Sequence, residues 1–369
     1  MTRRELNLAI FKGTTDKVLW QPRLNAWLYQ HQDHDTMPER FRGLSELEIY
    51  DKLGCSVRYA ASAGLEHYYE PDDVEGISEE IDRHHCISGI RIPEGELRTG
   101  HRRVWEGDEI VNSRIEKFSV TTAEDLRVLT ALVERRRFRV NLDSFREASA
   151  RVGDREEPTM FTSSDGFTEL IKHWAGLESA CYLLADHPAE VDAFVEACDR
   201  ADDRMLDELF KLPCRLFNLG DHTTNEFTPP PLIERYCLRR WRKISARMTQ
   251  EGRFVHSHWD GHSRHILPYL KPSGLHAVEA LTPEPMGDMS LEMIKSAVGD
   301  KLVVLDLIPA IFFLPSYPVE EVLEFTRRVI DMFAPKLILG ISDEIPPFGE
   351  IEKVEAISEL VDKVCGLAT

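Results

Sequence analysis

The C-terminal half of the chain alternates between short apolar runs and amphipathic stretches. Near-continuous apolar runs are typical of strands that are buried on both faces, as in a parallel sheet. Five such runs occur: Cys214–Gly220, Arg253–His258, Leu275–Leu281, Lys301–Ile308 and Lys336–Ile341. Helical patterns separate them, most clearly between Val319 and Phe333. These repeated strand–helix units predict a parallel sheet with right-handed crossovers.

The N-terminal half is less regular but offers the remaining strands. Three of its segments can each form a strand: Val18–Gln21, Ser56–Ala60 and Thr159–Ser164. Together with the five runs they give eight strands, the number in a TIM barrel. We therefore predict that residues 1–369 form a single α/β domain, a (β/α)₈ TIM barrel with an N-terminal extension. An open doubly wound sheet is the alternative, although no glycine-rich phosphate loop follows a predicted strand.

The region from about residue 61 to 120 differs from the rest of the chain. Polar and apolar residues alternate there between glycine-containing turns, which predicts antiparallel β-hairpins inserted into the barrel. The sequence TTAE at 121–124 then predicts a capping box at the start of a helix. A proline at position 188, after Asp186 and His187, predicts another helix start.

Charge and composition narrow the possible functions. Acidic residues outnumber basic ones 64 to 45, which gives a net charge of −19. Such a chain is repelled by nucleic acid and by an anionic membrane surface, so we expect neither as a partner. The sequence contains no apolar stretch of about 18 residues, no signal-peptide pattern and no CxxC pair among its seven cysteines. We therefore expect a soluble, cytoplasmic enzyme with reduced thiols.

The densest group of candidate ligands lies in FVHSHWDGHSRH, residues 254–265. His256 and His258 are two apart on a predicted strand, so they share one face. Glu279 lies in an apolar run, where a charge is costly unless it is paired or bound to a metal. Asp343 directly follows another predicted strand. Imidazoles and carboxylates from three strands predict a zinc site with an open position, the alternative being a metal-free polar pocket.

Other polar residues near predicted strand ends are candidates for catalysis or substrate binding. The catalytic candidates are Glu279, Asp221 and Glu344. The substrate-binding candidates are Arg23, Asn25, Trp27 and His222. A turn or N-cap role is the alternative for Asp221, and simple packing is the alternative for the aromatic residue Trp27.

Several motifs together resemble the uroporphyrinogen decarboxylase superfamily, and most of all its corrinoid-dependent methyltransferase branch, which includes O-demethylases. The motifs are DKVLWQPRLNAW, VTTAEDL, HWAGLESACYLLADHP, LGDHTTNEF, VHSHWDG, VEALTPEPMGDMS and GISDEIPP. The likeness spans nearly the whole chain and implies a (β/α)₈ barrel. True uroporphyrinogen decarboxylases carry an Arg-rich RQAGRY segment, where this chain has RLNAWLYQHQ. Without the paired arginines, a polycarboxylate tetrapyrrole lacks its counter-charges, so we do not expect porphyrin decarboxylation.

The resemblance also implies a ligand set. The methyltransferase branch typically holds zinc with a His-x-Cys motif and a further Cys after the last strand. His256 matches the histidine, His258 stands at the first Cys position and Asp343 falls near the second, with Glu279 as a fourth ligand or a hydrogen-bond partner. Nitrogen and oxygen ligands leave zinc more Lewis acidic than thiolates do. This difference favours activation of an oxygen-bound methyl group over thiol methylation.

The function that the resemblance implies is methyl transfer. The enzyme would move a methyl group between a small, methoxylated substrate and the cobalt of a separate corrinoid protein, with a metal or an acid activating the leaving oxygen. Two alternatives remain open. One is a metal-free decarboxylase or lyase of the uroporphyrinogen decarboxylase type that acts on a non-porphyrin substrate, and the other is a non-catalytic barrel that binds a ligand.

Overall fold

The computed structural model describes residues 1–366. Its α-helices are α1 (Arg3–Lys12), α2 (Asn25–Asp33), α3 (Glu46–Lys52), α4 (Ala123–Arg135), α5 (Leu142–Val152), α6 (Gly166–Glu169), α7 (Gly176–Asp186), α8 (Pro188–Leu209), α9 (Pro230–Leu232), α10 (Leu238–Gln250), α11 (Leu270–Ser273), α12 (Leu291–Val298), α13 (Val319–Phe333) and α14 (Ile351–Cys365). Its strands are β1 (Leu19–Trp20), β2 (Leu65–Tyr69), β3 (Glu75–Glu80), β4 (His85–Ile92), β5 (Gly95–Glu106), β6 (Glu109–Lys117), β7 (Arg136–Val140), β8 (Thr159–Phe161), β9 (Leu216–Asn218), β10 (Phe254–His258), β11 (Ala277–Glu279), β12 (Val303–Pro309) and β13 (Leu337–Ser342). Short 3₁₀ segments (Glu39–Phe41, Leu267–Tyr269, Ala310–Phe313) and π segments (Leu170–Ala175, Ile233–Cys237) complete the set.

The described residues divide into two compact units. The first comprises residues 1–64, 142–161 and the chain from 213 onward, and it contains a parallel sheet. The second comprises residues 65–141 and 162–212. The prediction that the whole chain is a single domain stays a prediction.

A curled sheet of seven parallel strands dominates the first unit, in the order β1-β13-β12-β11-β10-β9-β8. The five C-terminal apolar runs all form strands of this sheet, as predicted, and so do two of the three N-terminal segments. Every residue of β12 and β13 is buried, which explains why these runs are continuously apolar instead of alternating.

The predicted strand at Ser56–Ala60 is not regular, although it occupies the expected place. Its Ser56 N–H donates to the carbonyl of Trp20 at 2.9 Å, and its Ser56 hydroxyl donates to the carbonyl of Arg155 at 2.6 Å. The segment therefore bridges the two edges of the sheet, between β1 and the residues before β8. The predicted (β/α)₈ TIM-barrel class is confirmed, with this segment in the eighth strand position.

Helix α1 covers the amino-terminal end of the sheet. Its Leu6, Ile10 and Phe11 belong to the same buried cluster as the first residues of three strands, Leu216, Ala277 and Val303. Because the strands are parallel, their carboxyl ends all lie on the opposite side. That side is where barrel enzymes carry their reactive groups.

The helix signals of the sequence are borne out with small shifts. Helix α13 has the predicted bounds. Ser290 caps α12 by accepting from the N–H of Met293, and Gly299 follows the last turn. The predicted capping box lies one residue later than expected, at Thr122 and Asp125, because the side chain of Thr122 accepts from the N–H of Asp125.

The second unit is built around antiparallel strands and two packed helices. Strands β3, β4, β5 and β6 form one sheet, and β2 pairs with β7. The inserted hairpins that the sequence predicts at about 61–120 are therefore confirmed. Helices α4 and α8 pack together, and the buried residues on them include Leu129 of α4 and Phe194 of α8. Among residues 1–366, no helix has both the length and the apolar character that crossing a bilayer requires.

Candidate active site and metal centre

Glu279 ends β11 and lies at the centre of a buried polar network. Its side chain is 2% exposed. One carboxylate oxygen accepts from Asn218 Nδ2 at 2.7 Å and from His258 Nδ1 at 2.9 Å. The other accepts from Arg58 Nη1 at 3.0 Å and from the phenol of Tyr59. The barrel thus joins residues that are far apart in the sequence into one site.

Arg58 balances two buried carboxylates, Glu279 and Asp306 of β12. Burial acts to lower the pKa of Arg58, but Asp306 and Glu279 raise it above its ordinary value. Burial acts to raise the pKa of Glu279. Hydrogen bonds and charge from His256 and His258 nevertheless hold this pKa well below its usual value. Both groups therefore stay ionised, and each depends on the other for its counter-charge.

The backbone around this network is strained. Tyr59, Ala280, Asp306 and Leu307 have positive φ angles of 67°, 64°, 83° and 83°. Residues other than glycine rarely adopt such angles. Local hydrogen bonds hold them, since Ala280 N–H donates to Asp306 Oδ2 at 3.0 Å and Leu307 N–H donates to the Ser342 hydroxyl at 3.1 Å. Strain of this kind concentrates at functional sites.

Gly340 allows the ion pair to approach the sheet closely. A Cβ atom at this position would collide with Asp306 Oδ1 and would lie 3.1 Å from Arg58 Nη2. The Arg58–Asp306 pair therefore requires a residue without a side chain at position 340 of β13.

His256 and His258 share one face of β10, as their spacing predicts, and both lie against Glu279. His256 Nε2 lies 3.0 Å from the Tyr59 hydroxyl and 3.5 Å from Glu279 Oε2. His258 uses Nδ1 for its bond to Glu279, and its Nε2 lies 4.0 Å from Asp260 Oδ2. The two histidines therefore share Glu279 and differ in their other neighbour, which is Tyr59 for His256 and Asp260 for His258.

His222, His258 and Asp260 form a group that could hold a metal ion, because one ligand atom of each lies within 4.8 Å of the others. The ladder between β9 and β10 continues beyond the strands and sets this spacing. Thr223 N–H donates to the carbonyl of His258 at 3.0 Å, and Asp260 N–H donates to the carbonyl of Thr223 at 3.2 Å. The rings of His222 and His258 lie 5.6 Å apart and nearly parallel.

This metal group fits zinc. Catalytic zinc sites use three nitrogen or oxygen ligands from the protein and keep a further position open. A histidine that binds zinc usually donates its other ring nitrogen to a carboxylate, which fixes the ring and its tautomer. The contact between His258 Nδ1 and Glu279 supplies that carboxylate and leaves Nε2 for an ion.

A cavity of about 700 Å³ opens beside the network, within the size range of small-molecule sites. Arg58 and Tyr59 belong both to its lining and to the partners of Glu279. The predicted substrate residues Arg23 and Asn25 also line it. Of the described residues, those of the metal group lie outside this lining, so Glu279 is the residue that contacts both parts of the site.

Comparison with known proteins identifies the family. The family model described as uroporphyrinogen decarboxylase (URO-D) matches residues 106–364. The chain belongs to the uroporphyrinogen decarboxylase family. No curated protein matches the sequence.

Solved structures agree with the fold of this family member. A methyltransferase from Methanosarcina mazei superposes with a TM-score of 0.55 over 99% of both chains, at 13% sequence identity. At that identity the likeness concerns the fold alone. A B12-independent methionine synthase from Shewanella sp. W3-18-1, in complex with selenomethionine, gives a TM-score of 0.41 at 11% identity, covering 96% of this chain and 99% of that one.

Of the four residues predicted as metal ligands for this uroporphyrinogen decarboxylase family member, His258 belongs to the metal group, and His256, Glu279 and Asp343 lie outside it. Asp343 forms an ion pair with Arg23, whose Nε also donates to the Asp343 carbonyl at 3.1 Å. The negative charge of Asp343 is thus compensated by Arg23 and not by a metal ion beside His256 and His258. Asp260 lies beside His258 instead, because it follows the end of β10 by two residues and is held there by the extended ladder.

Three other predicted residues have defined surroundings. Trp27 is 1% exposed and packs against His31 and Phe41, with ring centroids 4.3 and 6.1 Å away, so we correct its substrate-binding assignment to packing. Glu344 lines the cavity, and its carboxylate accepts from the N–H of Ala26 at 3.1 Å. His222, predicted to bind substrate, belongs to the metal group.

Asp221 is a buried support for the loop that carries His222. Its carboxylate accepts from Arg240 Nη1 at 3.2 Å and from Trp241 Nε1 at 2.8 Å. The side chain has no exposed surface. We therefore correct its predicted catalytic role to a structural one, since it contacts an arginine and an indole of α10.

The sequence predictions of site residues missed Arg58, Tyr59, Asn218 and Asp260. The sequence did contain a signal for Arg58, because an arginine inside the apolar segment SVRYA requires a buried counter-charge. Asp260 was available as the residue two positions after His258. No comparable signal marks Asn218 or Tyr59, whose roles follow from the strand register and from a left-handed backbone.

Glu156, which precedes β8, gives a pH-dependent contribution to stability. Burial raises its pKa to about 8, against hydrogen bonds from the N–H groups of Ala60 and Ala61 that act to lower it. The folded state therefore holds this proton more tightly than the unfolded state, whose pKa is near 4.5. The resulting stabilisation is complete below the unfolded pKa and is lost as the pH rises through the folded pKa.

We expect Glu156→Gln to flatten this dependence. Between about pH 5 and pH 8, the free energy of unfolding of the wild type should fall by roughly 1–3 kcal/mol more than that of the variant, as measured by urea titration. Glu157→Gln is the matched control, because Glu157 is equally buried but pairs with Arg4 at 2.8 Å. An unchanged slope in Glu156→Gln would contradict the assignment.

Proposed function

We propose that this chain is a cytoplasmic methyltransferase that moves a methyl group between a small, methoxylated substrate and the cobalt of a separate corrinoid protein. The proposal combines family membership with the chemistry of the site. The observation that carries it is the position of Glu279, which contacts Arg58 and Tyr59 of the cavity wall and also His258 of the metal group.

The cavity offers polar groups that can orient a substrate. Arg23, held by Asp343, and Asn25 lie on one side of its lining, and Glu344 is fixed by a backbone N–H. Tyr59 belongs to the cavity lining and donates its phenol hydroxyl to Glu279. Burial and the adjacent carboxylate of Glu279 raise the pKa of Tyr59 well above its usual value, so this hydroxyl keeps its proton across the neutral range.

Methyl transfer from oxygen requires stabilisation of the charge that develops on that oxygen. A corrinoid in the Co(I) state would supply the electron pair that forms the bond to the methyl carbon, while the electron pair of the broken C–O bond would stay on the substrate oxygen, which would take up a proton. Zinc held by His222, His258 and Asp260 would supply Lewis acidity for this step. The chain's own contribution is to fix the substrate, to keep Arg58 and Glu279 charged, and to orient His258 through Glu279.

The direct test is a methyl-transfer assay. The purified protein is mixed with a corrinoid protein reduced to the Co(I) state and with a panel of methoxylated aromatic compounds. We expect loss of the Co(I) absorbance together with formation of the demethylated product, detected by mass spectrometry. The same compounds without the methoxy group serve as controls and should give no change.

The alternatives give different results in the same preparation. Carbon dioxide release from a carboxylated, non-porphyrin substrate, unaffected by a chelator and without methyl transfer, would favour the metal-free decarboxylase. Tight binding of the panel compounds without any turnover would favour a binding protein. Either result would overturn the proposed function.

A further inference from the structure

A buried carboxyl group, that of Glu156, lies behind the cavity wall at Tyr59 and holds the backbone there. The two oxygens of Glu156 accept from the N–H groups of Ala60 and Ala61, at 3.3 and 3.0 Å. Glu156 is 1% exposed, so this interaction is shielded from water. Ala60 is also held through its carbonyl, which accepts from Arg151 Nη2 at 2.5 Å.

Ala60 and Ala61, which Glu156 binds, come directly after Tyr59, a residue with a strained backbone. Tyr59 has a φ angle of 67°, and its ring packs on Phe161 of β8 with centroids 4.8 Å apart. A bulky residue keeps such a backbone conformation only where its neighbours hold it. Successive N–H groups after a left-handed residue form a concave site that suits a carboxylate, and Glu156 occupies it.

We infer that Glu156 is a positioning residue, which fixes the Tyr59 phenol at the cavity wall by binding the N–H groups of Ala60 and Ala61. Glu156 itself is not part of the cavity lining, whereas Tyr59 and Ala60 are. The inference rests on the proposed function, because the position of Tyr59 matters for catalysis only if this cavity binds the methyl donor. Its structural half, the fixing of residues 59–61, can be measured without any activity.

The charged groups around Glu156 are consistent with this role. Burial raises the pKa of Glu156, and Arg58, on the same segment as Ala60, and Arg151, at the end of α5, act to lower it without outweighing burial. Glu157 offers a matched comparison. It is the adjacent, equally buried glutamate, but it pairs with Arg4.

The test is a double-mutant cycle with two measurements. We expect Glu156→Ala to accelerate amide hydrogen exchange at Ala60 and Ala61 by about tenfold or more, because both lose their buried acceptor. We expect the same variant to lower kcat of methyl transfer about tenfold to a hundredfold, because a small displacement of a reacting group has effects of that size. Glu157→Gln should leave both measurements at wild-type values.

The combination with Tyr59→Phe separates positioning from a general loss of structure. If Glu156 acts through the phenol, Glu156→Ala should lower kcat little further in the Tyr59→Phe background. Fully additive losses, or unchanged exchange at Ala60 and Ala61, would overturn the inference. Glu156→Gln keeps one acceptor oxygen and replaces the alanine variant if that variant does not fold, with an intermediate acceleration expected. If the wild type shows no methyl transfer, the proposed function fails by itself, and the exchange measurement still decides whether Glu156 fixes this segment.

Discussion

Replacement of Arg58 by methionine is expected to lower the free energy of unfolding by about 3–5 kcal/mol, because it leaves two buried carboxylates without their counter-charge. Arg58 is 2% exposed and binds Glu279 and Asp306, which are equally buried. Methionine preserves much of the apolar stem of arginine, so lost packing contributes little. Activity should fall with stability, since the second oxygen of Glu279 would lose one of its two partners and keep only Tyr59.

Two comparisons make this prediction specific. Arg146→Met removes an arginine whose side chain is 66% exposed, and its effect should stay within about 0.5 kcal/mol. Adding Asp306→Asn to Arg58→Met removes one of the uncompensated charges and should restore part of the lost stability. Urea unfolding of the four proteins measures all these values. A stable Arg58→Met protein, or a double variant less stable than the single one, would show that the ion pair does not hold this core together.

The sequence predicted the barrel well because strands that are buried on both faces consist almost entirely of apolar residues. Strands such as Val303–Pro309 admit almost no polar residue, and Asp306 is the exception that the ion pair with Arg58 explains. The segment Ser56–Ala60 begins with three buried residues but forms no regular strand. Tyr59 has a left-handed backbone, and Glu156, about a hundred residues away in the chain, binds the N–H groups of the two residues that follow it.

The sequence predicted the positions of site residues that lie on strands, but not those of residues in the loops that follow the strands. The spacing of His256 and His258 correctly placed both on one face, and the position of Glu279 at a strand end brought it to the same place. The direction of a side chain in the loops beyond the strands does not follow from such spacing. Asp343 and Asp260 both lie within two residues of a strand end, yet Asp343 pairs with Arg23 and Asp260 lies beside His258.

His258→Ala should have the largest effect on the proposed metal centre. His258 is shared by the metal group and by the Glu279 network, so its removal takes away a ligand and the contact that orients it. We expect zinc content, measured by elemental analysis after reconstitution, to fall from about one ion per chain to a small fraction, since three protein ligands are the usual minimum for such a site. Methyl transfer should fall by at least about a thousandfold, because a catalytic metal contributes several kcal/mol.

The surrounding residues allow the ligand set to be tested one by one. His262→Ala is the matched control, because His262 lies in the same loop but is 61% exposed and pairs with Glu226, so its zinc content and activity should stay at wild-type values. Glu279→Gln should keep the three ligands and lose about 10–100-fold in zinc affinity, as expected for a carboxylate that orients a ligand histidine. Asp260→Asn should lower zinc content, whereas Asp343→Asn should not, because Asp343 is paired with Arg23. If zinc is instead lost from Asp343→Asn and His256→Ala while His258→Ala retains it, the ion lies elsewhere in the barrel, and the connection from cavity to metal through Glu279 is refuted.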